Sequence, residues 1–272
     1  MCIMHIERYG RGEDRIFFAV HGWAGNHRTF RPLTPYLPEN ASLFAVDLPG
    51  YGASPRPPVW RMDHIVDGLV DAAKGLPGGG ATFMGLCSGA VLALMAADAL
   101  RERATGLVMI DPFAYVPPYF RVFLAGRFGR YAYDSTFANP LGRWLTNRSL
   151  AHKRTAASDL THAFARVDHD ATLHYLRLFS EVDALGPFKA LRLPIELIYG
   201  ERTFKAVKKS VALWRSLWPQ ARVWSLPGAG HQPIEEKTPE LAAIVFASAG
   251  QRSAEPIAAG AALPASPGNQ AH

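Results

Sequence analysis

The chain has 272 residues, of which 49% are apolar and 19% charged, with a formal net charge of +6. That length fits one large domain or a core carrying an inserted lobe, and no apolar run approaches the roughly 20 residues needed to span a bilayer. The positive charge is spread out and no recognition motif accompanies it, so nucleic acid is not an expected partner.

The residues Met1–Arg8 lack a charged stretch followed by an apolar one, so no signal peptide is read and a cytoplasmic protein is expected. There are two cysteines, Cys2 and Cys87. Cys2 lies near a chain end, which makes a structural disulfide an unexpected pairing.

Strand and helix signals then alternate. Arg15–Val20 reads as a buried strand running into His21-Gly22-Trp23-Ala24-Gly25, followed by helical spacing from Arg28 to Leu37. Ala41–Val46 is the next strand and ends in Asp47-Leu48-Pro49-Gly50-Tyr51-Gly52-Ala53-Ser54. Met62–Leu76 sets Ile65, Val66, Leu69 and Val70 at helical spacing. Ala81–Met84 reads as a strand, Val91–Leu100 as a helix, and Gly106–Ile110 as a strand closed by Asp111-Pro112.

From about Phe113 to Leu185 the alternation stops, and helical pieces are read around Tyr119–Tyr131, Arg143–Leu160 and Leu173–Val182. The strand pattern resumes at Pro194–Tyr199, with a helix over Phe204–Leu217, a last strand at Ala221–Leu226 and a final helix over Pro239–Ala249. The prediction is an α/β fold, a mostly parallel sheet flanked by helices with an inserted helical lid. Its parts are a core over 1–112 and 186–249, the lid over 113–185, and a tail over 250–272. The tail is so rich in Ala, Pro, Gly and Ser that disorder is predicted.

A cysteine stands where a serine would be expected in Gly85-Leu86-Cys87-Ser88-Gly89-Ala90. Strand, sharp turn and helix are the setting of a nucleophile elbow, G-x-S-x-G, with Cys87 at the nucleophile position. Gly85 and Gly89 would let neighbouring backbone pass close to a strained turn. The partial positive charge of the helix N-terminus would favour the reactive thiolate. The competing reading of Cys87 is a small buried hydrophobe in a Gly-rich turn.

With that elbow the chain resembles the α/β-hydrolase family from about Ile16 to Ala249, the lid excepted. The resemblance rests on four motifs in the family's order: His21-Gly22-Trp23, Asp47–Ser54, the Cys87 elbow, and Gly230-His231-Gln232-Pro233. It implies Cys87 as nucleophile and His231 as general base, a histidine suiting that role because its pKa lies near working pH. It also implies an oxyanion hole from the backbone N–H groups of Trp23 and Ser88. Asp47 is read as structural.

The third member departs from the family pattern. The acid usually follows the strand at Ile195–Tyr199, but here Thr203 occupies its place and cannot supply a negative charge. Asp111 is the expected acid, in the position some lipases resemble; Glu201 is the alternative, and a Cys–His pair without an acid is the third possibility. Phe113, Tyr115, Tyr119, Phe120 and Phe164 are candidates to line an apolar acyl pocket, or to pack the lid on itself. His162, His169 and His174 with Asp168 and Asp170 lack a tight ligand spacing and are read as solvated, so no metal or cofactor is expected.

The expected function is cysteine-dependent acyl transfer, through a thioester acyl-enzyme, with water (thioesterase or esterase) or another acceptor (acyltransferase). The substrate is a small acyl ester or thioester. Arg202, Lys205, Lys208, Lys209, Arg215 and Arg222 read either as a solvated face or as a landing patch for an acidic carrier, such as coenzyme A or an acyl carrier protein. The alternative is a hydrolase-like binding protein without turnover, which the Thr203 departure favours.

Overall fold

The computed structural model describes residues 3–156, 158–182 and 185–248. Seven strands form one sheet: β1 (Ile6–Tyr9), β2 (Arg15–Val20), β3 (Ala41–Val46), β4 (Ala81–Leu86), β5 (Ala104–Ile110), β6 (Ile195–Gly200) and β7 (Arg222–Leu226). Their order is β1-β3-β2-β4-β5-β6-β7, with β1 antiparallel to β3 and every other pair parallel. The parallel strands need crossover connections, so helices cover both faces and the central strands become almost continuously apolar. All six residues of β3 and of β4 are buried.

Helix α1 (Met62–Lys74) buries Ile65, Leu69 and Ala73 on one side. Helix α2 (Gly89–Ala99) is apolar all round, and accordingly lies inside, with Gly89 through Leu94 buried. The segment between β5 and β6 contains α3 (Gly126–Tyr133), α4 (Pro140–Ser149) and α5 (His169–Ser180), with a π-helical turn (Asp134–Ala138) between the first two and 3-10 turns between the last two. The chain closes with α6 (Lys205–Leu217), a short α7 (Pro233–Glu236) and α8 (Thr238–Ser248).

Several boundaries differ from the sequence reading, each for a local reason. The helix expected at Arg28–Leu37 is a 3-10 helix over His27–Tyr36, because Pro32 and Pro35 inside it cannot donate α-helical hydrogen bonds. The piece expected at Tyr119–Tyr131 is broken at Gly126, whose φ of +56° is left-handed, into a 3-10 turn and α3. The helix expected to run to Leu160 stops at Ser149, and beyond it the Lys153 carbonyl accepts the His231 backbone N–H at 2.9 Å. α5 starts four residues before the expected Leu173, because Asp168 caps it by accepting from the Asp170 and Ala171 N–H groups. Strand β1 was not expected; its four residues acquire partners only through β3. The tail 250–272 and Cys2 lie outside the described residues.

Candidate active site

The turn after β4 is a sharp elbow. Cys87 has a φ of +56°, a strained value for a residue with a Cβ, and its N–H is held by the Ile110 carbonyl at 2.8 Å. The flanking glycines are sterically required. A Cβ on Gly85 would stand 2.4 Å from the Gly89 carbonyl oxygen, and one on Gly89 would stand 2.2 Å from the His21 carbonyl oxygen. Among the described residues only Ala24, Cys87 and Asp111 combine a side chain with left-handed φ. All three lie where β2, β4 and β5 run out, so the strain is gathered at one end of the sheet.

Asp111 and His231 meet there. His231 Nδ1 donates to Asp111 Oδ2 at 2.5 Å, with the aspartate fully buried and the imidazole 16% exposed. Asp111 has two more donors: the Gly200 N–H at 2.9 Å on Oδ1, and the Thr203 hydroxyl on Oδ2. Thr203 Oγ1 also lies 3.3 Å from His231 Nδ1. Its hydroxyl thus braces the carboxylate from beside the imidazole. Phe113 and Phe204 flank the His231 ring edge-on, at centroid distances of 5.6 and 4.7 Å.

Burial disfavours the charged form of His231, but hydrogen bonds to Asp111 and Cys87 and the charges of both outweigh it, pushing its pKa up to about 10. A pKa raised in the folded state contributes stability that is complete below the unfolded value near 6.5 and is lost as pH rises through about 10. We therefore expect the melting-temperature gap between wild type and His231→Gln to narrow between pH 7 and pH 11. The change should be roughly 2–4 °C for each kcal/mol the pair contributes. A gap independent of pH, measured by thermal denaturation, would contradict the raised pKa.

Cys87 and His231 line a cavity of about 260 Å³, together with the Gly22–Trp23 segment and Ser88. Its other walls are mostly apolar and come largely from the segment between β5 and β6. Of the aromatic residues expected there, Phe113, Tyr115, Phe120 and Phe164 line it, while Tyr119 does not: it is 56% exposed and packs on Phe120. The same aromatics also pack on one another, with Phe164 stacked on Phe137 at 4.5 Å and edge-on to Trp23 at 5.0 Å. Neither the Trp23 nor the Ser88 backbone N–H has a hydrogen-bond partner among the described residues.

The sequence reading missed three features of this site. Thr203 had been noted only for what it cannot do. Gln232 and Glu235 line the cavity wall beside His231, and Gln232 Oε1 is buried with no partner among the described residues. Burial and the neighbouring Glu236 raise the Glu235 pKa. The signal for both was their place next to His231, but only the turn into α7 directs them inward.

The structure does not bring the alternative acid, Glu201, to His231. Glu201 is exposed, and its carboxylate accepts from the Gly228 N–H at 2.8 Å, whereas the His231 imidazole faces Asp111. Four of the histidines and aspartates of the inserted segment have their own partners. Asp168 pairs with Arg56, Asp170 with Arg130, His169 bonds the Tyr133 hydroxyl at 3.0 Å, and His174 stacks on Trp60. Asp47 is fully buried and takes N–H groups from His27 and Ala53, a structural role.

A model of the alpha/beta hydrolase family matches residues 17–244, and the chain belongs to that family. Among its relatives, the pimeloyl-(acyl-carrier protein) methyl ester esterase of Stenotrophomonas maltophilia is 30% identical over 260 residues, covering 89% of this chain and 95% of that protein. The esterase of the same name from Aeromonas hydrophila is 26% identical over 243 residues, covering 84% of this chain and 92% of that protein. Among solved structures, a thermophilic esterase from Thermogutta terrifontis superposes with a TM-score of 0.71 at 20% identity, covering 89% of this chain and 91% of that one. The enol-lactonase from Burkholderia xenovorans gives 0.72 at 14%, covering 91% and 96%. Likeness at these identities shows the fold. No helix among the described residues is long and apolar enough to cross a membrane.

Proposed function

We propose that this protein is a cysteine-dependent esterase that hydrolyses an acyl ester or thioester through a thioester acyl-enzyme. The observation that carries the reading is Cys87 at a strained elbow, sharing one apolar cavity with an imidazole that is paired to a buried aspartate. In this reading Cys87 is the nucleophile, His231 the proton carrier and Asp111 the residue that orients and charges it. The segment between β5 and β6, from 113 to 185, acts as the lid over the acyl group.

The Cys87 thiolate adds to the acyl carbonyl, and the oxygen that gains the electron pair is met by the free N–H groups of Trp23 and Ser88. The carbon–oxygen or carbon–sulfur bond to the leaving group then breaks, and protonated His231 gives that group its proton. A raised imidazole pKa suits this step, because a methoxide-like leaving oxygen needs a proton where a thiolate does not. Water then attacks the thioester, His231 takes its proton, and the acid leaves with Cys87 restored. With a thioester substrate the first step exchanges like for like and is near thermoneutral. With an oxygen ester it depends on the proton from His231.

The relatives named for a carrier-linked methyl ester support an acyl group presented by an acyl carrier protein. So does charge. Exposed Arg202, Lys205 and Lys208 lie close enough to Lys153 to depress its pKa, behind the larger effect of its burial. Lys209 stands 5.8 Å over the ring of Tyr115, a cavity wall residue. The basic cluster is therefore beside the cavity. Arg222 does not belong to it, because it pairs with the buried Glu196.

Reversing Lys205 and Lys208 to Glu together should raise KM for a carrier-linked ester about tenfold and leave a small p-nitrophenyl ester within about twofold, with added salt mimicking the effect. Steady-state kinetics on both substrates checks this, and equal effects on the two would contradict carrier docking. The binding-protein alternative loses the observation that favoured it, since Asp111 stands beside His231 where Thr203 supplies no charge.

A further inference from the structure

No ligand spacing announces a metal site in the sequence, yet the fold brings His5, Glu7 and His27 together at the sheet edge formed by β1. One ligand-capable atom from each lies within 4.8 Å of those of the other two, and none of the three residues lines the catalytic cavity. His5 Nε2 is 3.7 Å from the Glu7 carboxylate, and the His5 and His27 rings meet edge-on at 5.2 Å. His5 and Glu7 are two residues apart on extended chain, so their side chains leave on the same side.

Both histidine-bearing segments are anchored to one buried aspartate. The His5 carbonyl accepts the Asp47 N–H at 2.9 Å, and the His5 N–H donates to Ser54 Oγ at 2.8 Å. The His27 N–H donates to Asp47 Oδ1 at 2.6 Å, and its ring Nδ1 lies 2.9 Å from the same oxygen. Asp47 also accepts the Ala53 N–H on Oδ2 at 2.9 Å, which fixes the carboxylate in place. The contact turns the His27 ring so that Nδ1 faces the Asp47 carboxylate and Nε2 points away from it. That is the carboxylate–histidine arrangement that orients a metal ligand and raises its basicity.

We infer that His5, Glu7 and His27 bind one divalent cation of borderline softness, such as zinc or nickel, with Asp47 as the outer carboxylate. Two imidazoles and one carboxylate suit such ions better than calcium or magnesium, and leave a fourth position for water. Metal–ligand bonds of about 2.0–2.2 Å require donor atoms about 3.3 Å apart, a contraction that small side-chain torsions supply. The ion would tie β1 to the start of the 3-10 helix that follows the Trp23 loop. Because it binds the folded state, it would raise the melting temperature.

The test is calorimetric titration of tag-free full-length protein with zinc, then nickel, in a Cys87→Ser background that removes the thiol from the catalytic cavity. One equivalent should bind, and His5→Gln and Glu7→Gln, both at partly exposed positions, should each weaken binding by tenfold or more. Zinc should also raise the melting temperature of the Cys87→Ser protein, and this shift should vanish in the His5→Gln, Glu7→Gln double variant. No binding, or binding and a thermal shift that survive both substitutions, would overturn the site. Neither result bears on the esterase reading, which the metal does not enter.

Discussion

Cys87→Ala is expected to abolish ester turnover, lowering kcat by about 10³–10⁴-fold or more while the protein stays folded. The expectation follows from position. The elbow presents one side chain at a φ of +56°, and the cavity contains no other nucleophile in that geometry. Ser88 lies one residue further on, where α2 begins, and its side chain makes no capping hydrogen bond. Its expected contribution is a backbone N–H, so Ser88→Ala should retain most of the activity. The Cys87→Ala change removes one sulfur from a partly buried site, and a melting temperature within a few degrees of wild type is expected. A Cys87→Ala enzyme with wild-type turnover would refute the assignment. Thiol chemistry gives an independent reading: iodoacetamide should alkylate Cys87 much faster than a cysteine peptide, because the thiol shares its cavity with the His231 imidazole.

Asp111→Asn should lower kcat by about 10²–10³-fold, less than the loss seen in serine triads because a thiol ionises more easily than a hydroxyl. Asparagine can keep the Gly200 and Thr203 contacts but presents no charge to His231, whose pKa should fall. The pH dependence of kcat separates a charge effect from a folding effect, since the limb governed by His231 should shift towards neutrality in Asp111→Asn. Glu201→Gln should stay within about twofold of wild type, as its carboxylate faces Gly228. Thr203→Val leaves the buried Asp111 one donor short, a desolvation cost of about 1–3 kcal/mol. It should produce a partial loss together with a shifted pH limb. If Glu201→Gln were crippled and Asp111→Asn active, the acid assignment would be wrong.

Much of this site was legible in the residues because each part is locally encoded. The elbow needs glycines on both sides of Cys87, and Asp111-Pro112 closes a strand that is visible from its own apolar run. The central strands were readable for the same reason: buried on both faces, they are apolar throughout. What could not be read depends on contacts distant in sequence. β1 has only four residues and exists through β3. The early end of α4 accompanies a hydrogen bond that the His231 N–H donates to the Lys153 carbonyl, 78 positions away by number. Thr203 looked like a missing acid because only the fold shows that its hydroxyl and Asp111 converge on one imidazole nitrogen. Tyr119 was grouped with Phe120 by proximity, yet the 3-10 turn directs the two rings differently.

The central claim is a covalent thioester on Cys87, and intact-mass spectrometry tests it directly. Wild type and Cys87→Ala would each be incubated briefly with a panel of acyl thioesters, methyl esters and aryl esters, then quenched in acid. The account predicts a mass increase of one acyl group on wild type and none on Cys87→Ala, with the longer apolar acyl groups that fit the cavity accumulating most. Substrate consumption that persists in Cys87→Ala, or turnover by wild type with the acyl group on another residue, would contradict it.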